Sequence, residues 1–191
     1  AAADLDGDGW PDIVTLNQKA WMPGQPDGRI VRVYWGGESG FVPTRFQDVG
    51  VANATFLARA DFDADGAGDV AVLRSDGKIH FLWGQVANDS GDDRLSKRPA
   101  GGLNGSGELA TSRNETLAIR MSQAEIAAES ALCLAAADLD RDGRPELLVG
   151  ASSGIRIMTG EGARRWAPAR EIRGISASGI VPADVDGDGS V

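Results

Sequence analysis

Residues 131–150 read ALCLAAADLDRDGRPELLVG: an apolar run, a burst of acidic residues, then a second apolar run. Asp138, Asp140 and Asp142 stand at alternate positions, Gly143 follows, and Glu146 comes just before the second run. Carboxylates at positions 1, 3 and 5 of a tight loop converge on one point. A glycine at position 6 supplies the positive φ of a sharp turn. A carboxylate at position 9 closes the ring of oxygens. A set of hard oxygen ligands with no Cys or His suits Ca²⁺ better than Zn²⁺. Without a cation, four carboxylates so close repel one another strongly at intermediate dielectric.

The pattern recurs. Copy one is Asp4, Asp6, Asp8, Gly9 and Asp12, and copy two is Asp61, Asp63, Asp65, Gly66 and Asp69. Copy four is Asp184, Asp186, Asp188 and Gly189, with no ninth position before the last residue. An alanine precedes the first aspartate each time: Ala3, Ala60, Ala137 and Ala183. One acidic, glycine-containing turn is a moderate signal. Four in 191 residues mark an internal repeat, and a repeat decides the fold before any single element does.

An EF-hand loop opens in the same way but needs a bidentate Glu at position 12 and a helix on each side. Position 12 here is Thr15, Val72 and Val149, and the flanks DIVTL, DVAVL and ELLVG are β-like. The acid at position 9, the lack of a twelfth ligand and the flanking strands resemble instead the calcium loops of FG-GAP repeats. These integrin α-type, VCBS-like repeats are blades of a β-propeller. The resemblance covers nearly the whole chain apart from a polar insertion at about 86–116. It implies Ca²⁺ bound by the carboxylates of positions 1, 3, 5 and 9. It also implies a ligand from the main-chain carbonyl of position 7, here Trp10, Ala67 and Arg144. Copy three departs in having Glu146 for the usual Asp, and copy four offers Asp184, Asp186 and Asp188 alone.

Aligned on the first aspartate, second strands fall at Ile13–Leu16, Val70–Leu73 and Leu147–Gly150, and third strands end at Gly36, Gly84 and Gly160. Within the third strands, Val31, Ile79 and Ile155, then Val33, Phe81 and Ile157, are apolar around Arg32, His80 and Arg156. That period of two predicts one buried and one wet face. Outer strands are expected at Phe41–Val49, near Leu117–Met121 and at Arg165–Ile172. The first strands are rich in small residues, as the crowded centre of a propeller requires. Copies start 57, 77 and 46 residues apart, the scale of a four-stranded blade. The expected architecture is therefore all-β: three propeller blades and the first strand of a fourth. Repeats are expected at 1–50, 51–121, 122–173 and 174–191, within a longer propeller of about seven blades. The insertion reads as an exposed loop. Ser122 to Glu125 fits a capping box, which predicts a short helix there; a fourth strand and turn is the alternative.

Composition sets the outer bounds. Net charge is −9, and the loops hold 15 of the 28 acidic residues, four in each of the first three and three in the last. Four dications would bring the total to about −1, so the acidity is mostly metal-site charge. Nucleic acid, which needs a basic face, is not an expected partner. Cys133 is the single cysteine, which excludes an intrachain disulfide, and its apolar setting predicts a buried structural thiol. No apolar run is long enough for a transmembrane helix.

Other motifs fare worse. Gly150 to Gly154 matches the G-x-S-x-G elbow, but a strand rather than a helix follows and no histidine lies downstream, so a plain β-turn is expected. His80, the only histidine, reads as a solvated strand residue. Trp35 and Trp83 occupy equivalent positions and read as packing residues; Trp21 is the best candidate among the tryptophans for an exposed ligand contact, though turn packing is the favoured reading for it too. Asn53, Asn88, Asn104 and Asn114 stand in N-x-S/T, glycan acceptors if the chain is secreted by a eukaryote. Carboxylate-pair hydrolysis is compatible with the residue types, but the clustered acids are accounted for by the loops.

The resulting expectation is a calcium-stabilised, non-enzymatic propeller module with a structural or recognition role. Its setting would be extracellular or periplasmic, and its partners the remaining blades of the same chain and a protein or carbohydrate ligand. The alternative is the propeller part of a secreted polysaccharide-active lyase or hydrolase.

Overall fold

A computed structural model describes residues 1–18, 29–85, 120–162 and 164–188. Trp21, Asn88, Asn104, Asn114, Gly189 and the polar insertion lie outside the described residues.

Among the described residues there is no helix, and the strands form three four-stranded antiparallel sheets. The first sheet runs β1 (Ala2–Ala3), β2 (Asp12–Gln18), β3 (Arg29–Tyr34) and β4 (Phe46–Ala52). The second runs β5 (Ala54–Ala60), β6 (Asp69–Arg74), β7 (Lys78–Trp83) and β8 (Arg120–Ala127). The third runs β9 (Ala131–Ala137), β10 (Glu146–Ala151), β11 (Gly154–Gly160) and β12 (Trp166–Arg173). Each sheet is a simple meander in chain order, and β5 packs on β9 and touches β1. These are the stacked blades of a propeller.

Two apolar layers hold the blades together. Val14, Val31, Val33 and Val49 of the first sheet meet Val70, Val72 and Leu82 of the second. On its other face the second sheet offers Ala71, Leu73, Ile79, Phe81 and Trp83 to Leu134, Leu147, Val149 and Met158 of the third. Phe81 lies at the centre of this second layer, stacked on Trp83 and on Trp166, each with ring centroids 5.0 Å away. Trp35 and Trp83 are both buried, as their equivalent positions suggested.

Three expectations need correction. The wet face of the third strand holds for β3, where Val31 and Val33 are buried and Arg32 is not, but fails for β7, which is buried from Ile79 to Trp83. The second blade is covered on both sides by its neighbours, so side chains of either parity find apolar partners. His80 is accordingly only 9% exposed, with Nε2 3.3 Å from Nη1 of Arg74, and is not a solvated histidine. The segment with the capping-box pattern is strand β8, not a helix, because pairing with β7 supplies its backbone partners: Ile126 lies opposite Ile79 and Met121 opposite Leu82. The alternative reading was the correct one. The first outer strand also starts later than expected, at Phe46, because a turn at Val42–Arg45 precedes it.

The β-turn and buried-thiol readings hold, whereas the described residues 174–188 form no strand where the first strand of a fourth repeat was expected. Gly150 to Gly154 spans a tight β10–β11 turn in which Ala151 pairs with Gly154. Cys133 is fully buried, its Sγ 3.5 Å from the carbonyl oxygen of Ala177, and burial pushes its thiol pKa up. Asn53 sits in the β4–β5 turn with φ 58°, a left-handed conformation that asparagine tolerates.

Candidate metal centres

Each acidic loop joins the innermost strand of a blade to the next strand, so the loops of the three blades occupy corresponding places. The register closes every loop identically. Ala3 pairs with Asp12, Ala60 with Asp69 and Ala137 with Glu146, so the alanine before the loop always faces position 9.

The first aspartate organises the turn. Both of its oxygens accept backbone N–H groups: Asp4 from Asp8 and Gly9, Asp61 from Asp65 and Gly66, Asp138 from Asp142 and Gly143, all between 2.8 and 3.2 Å. Position 5 then makes an Asx turn. Asp8, Asp65 and Asp142 accept the N–H of Trp10, Ala67 and Arg144 at 2.8–2.9 Å. Gly9, Gly66 and Gly143 have φ of 85°, 92° and 84°, as position 6 requires. Sequence reading missed a second left-handed residue at position 4, where Gly7, Ala64, Arg141 and Gly187 have φ of 68°, 58°, 63° and 77°. The glycines in copies one and four were the available signal; the alanine and arginine in the other two concealed it.

Position 9 has a role that spacing alone did not reveal. Asp12 accepts the N–H of Leu5 at 2.9 Å and of Gly36 at 2.8 Å; Asp69 accepts those of Phe62 at 2.8 Å and Gly84 at 2.7 Å. Glu146 accepts the N–H of Leu139 at 2.8 Å. In the first two copies one buried carboxylate thus pins the start of the loop to a glycine just beyond the third strand. That glycine has no room for a side chain: a Cβ on Gly36 or Gly84 would meet a backbone carbonyl oxygen at 2.2 or 2.3 Å. Burial raises the carboxyl pKa against the opposing pull of the two N–H bonds, to about 6 for Asp12 and about 7 for Asp69, and it raises that of Glu146.

Carboxylate oxygens within 4.8 Å of one another come from Asp4, Asp6 and Asp8 in copy one, and from Asp61, Asp63 and Asp69 in copy two. In copy three they come from Asp138, Asp140 and Glu146, and in copy four from Asp184, Asp186 and Asp188. Positions 1 and 3 therefore meet in every copy, joined by position 9 in the two central ones and by position 5 in the outer two. Copy four differs in detail, because Asp184 accepts the N–H of Gly187 at 2.7 Å and all three aspartates are exposed. The donor set fits a hard cation with oxygen ligands. Copy two carries a further sign of fit: Oδ1 of Asp63 is buried and has no hydrogen-bond partner. A buried acceptor in that state is uncommon and calls for a counterpart.

The loops also bridge the blades. The carbonyl oxygens of Asp4 and Leu5 accept the N–H groups of Gly68 and Gln85 at 3.0 and 2.9 Å, which ties loop one to the second blade. Arg164 of the third blade reaches Asp63 in loop two, and Arg141 of loop three reaches Asp188 in loop four.

Stacked four-stranded meanders with an acidic loop after each innermost strand define an acidic-loop type of propeller repeat. The sequence profile of the FG-GAP-like repeat matches residues 4–72 and 138–191, and the chain belongs to that family. No curated protein matches the chain.

Proposed function

We propose that this chain is a calcium-stabilised propeller module that serves recognition or structure rather than catalysis. The observation that supports it is the repeated gathering of carboxylates at corresponding corners of stacked blades. Asp4, Asp6, Asp8 and Asp12 would hold one ion together with the carbonyl of Trp10. Asp61, Asp63, Asp65 and Asp69 would hold a second with Ala67, and Asp138, Asp140, Asp142 and Glu146 a third with Arg144. Asp184, Asp186 and Asp188 supply part of a fourth set. Bound Ca²⁺ supplies a compact double charge at which these repelling carboxylates can meet. The rest is done by the chain itself. Position 1 curls the loop through its two N–H bonds, position 9 fastens it to the third strand, and the carbonyls of Asp4 and Leu5 pass that order to the next blade.

On this reading the module works outside the cell or in the periplasm, where extracellular calcium modules typically bind at about 10⁻⁴–10⁻³ M. Its partners on this reading are further blades of its own chain and a protein or carbohydrate ligand. Thermal unfolding in millimolar Ca²⁺ and in EDTA tests the metal role. Calcium at about one to ten times its dissociation constant stabilises by about 0.4–1.4 kcal/mol per site, so the melting temperature rises. Superimposable curves would overturn the reading. Glycan-array binding without turnover supports recognition, whereas turnover of a polysaccharide favours a polysaccharide-active enzyme.

A further inference from the structure

We infer that Arg164 is a built-in rival of the cation at the second loop, making that site weaker than its sequence suggests and coupling its occupancy to the packing of the third blade on the second. The inference rests on the calcium reading above and concerns the regulation of one of its sites. Arg164 lies in the turn between β11 and β12. The turn is closed by the N–H of Arg165 on the carbonyl of Gly162 at 3.0 Å and the N–H of Glu161 on the carbonyl of Arg165 at 2.8 Å. From there its Nε and Nη2 both donate to Oδ2 of Asp63, at 3.0 and 2.9 Å, across 101 residues of sequence. The guanidinium carbon lies 4.5 Å from the ring centre of Trp83, so the cation is held by the second blade's aromatic as well as by its carboxylate. The side chains of Asp63 and Arg164 are 16% and 32% exposed, so solvent screens the pair only in part.

Both donors fall on one oxygen. Oδ1, the other oxygen of Asp63, is left buried without a partner. One oxygen of a carboxylate in the acidic cluster is thus taken by a guanidinium and the other is left for a further partner. Calcium affinity in oxygen sites is tuned by the charge of the ligand set and by its rigidity. Arg164 cancels one of the four negative charges of loop two. The rigidity of that loop does not depend on it, because Asp61 and Asp65 hold the turn through three backbone N–H bonds. Charge therefore decides the sign. The guanidinium weakens cation binding, and by reciprocity a bound cation weakens the grip of Arg164 on the second blade by the same factor.

Calcium titration by calorimetry on the whole chain tests this. Arg164→Met is expected to bind calcium about tenfold more tightly at one site and unchanged at the others, a usual size for such coupling. Adding Asp63→Asn to Arg164→Met should abolish the gain, and Arg165→Gln, an equal change of charge on the exposed neighbour, should not produce it. If Arg164→Met does not fold by circular dichroism, Arg164→Gln removes the charge while keeping a donor for Asp63, and the same gain is expected. Unchanged or weaker binding in the folded variant, with the unsubstituted protein binding normally, overturns the rivalry alone. An unsubstituted protein that binds no calcium overturns the calcium reading and this inference with it.

Discussion

Asp69→Ala tests whether position 9 carries structural weight of its own. The carboxylate accepts two buried backbone N–H groups at 2.8 and 2.7 Å, and the residue has no exposed surface. Each donor left unsatisfied costs about 1–3 kcal/mol, so the hydrogen-bond loss is about 2–6 kcal/mol. Burial acts in the opposite direction. It raises the Asp69 pKa from 3.8 to about 7, so the folded state prefers the protonated acid. That preference is fully present below about pH 4 and is lost as pH rises through 7. Removing the side chain therefore costs most in acid, where only hydrogen bonds are lost. It costs less at pH 8, where relief of a buried charge offsets part of the loss, by an amount of order 1.4 kcal/mol per pKa unit. Urea unfolding in EDTA at pH 5 and pH 8 measures both. The expected result is a loss of about 2–4 kcal/mol at pH 5 and a clearly smaller one at pH 8. A variant within about 0.5 kcal/mol of the parent at pH 5 would refute the reasoning.

The remaining predictions concern pH, two glycines and one strained alanine. In EDTA the parent protein should become less stable from pH 5 to pH 8, as Asp12 and Asp69 ionise in burial; in calcium the trend should reverse, because ligands must lose their protons to bind. Melting curves at several pH values check both arms. Gly84→Ala should cost about 1–3 kcal/mol, because its Cβ meets the Gly68 carbonyl oxygen at 2.3 Å. Gly160→Ala should be tolerated, its nearest neighbour lying 3.9 Å away. Ala64→Gly should stabilise by up to about 1 kcal/mol, since Ala64 holds φ at 58°, where a Cβ is penalised and glycine is not. Denaturant midpoints decide between these outcomes.

Much of the architecture was legible in four short acidic motifs. A fixed order of aspartates, with glycine at position 6, an acid at position 9 and a β-like apolar run on each side, reads as a tight loop between strands. Its repetition implied stacked identical units, and the strands after each loop fell where the alignment put them. The failures were all contextual. His80 looked solvated because alternation in one strand says nothing of a blade packed on the far side. Ser122 to Glu125 looked like a helix start because its local bonding options are helical, while the partner that overrides them, β7, lies about forty residues upstream.

The sequence by itself determined which oxygens are available to a cation and how often they recur, because loop geometry is local and spacing encodes it. Only the tertiary structure decided how those oxygens are used. The pinning of Asp69 to Gly84, the carbonyls of Asp4 and Leu5 on the second blade, and the reach of Arg164 to Asp63 all join groups distant in the chain. Such contacts exist only once blades are stacked, and stacking is driven by non-directional apolar burial that leaves no mark in the spacing of charged residues.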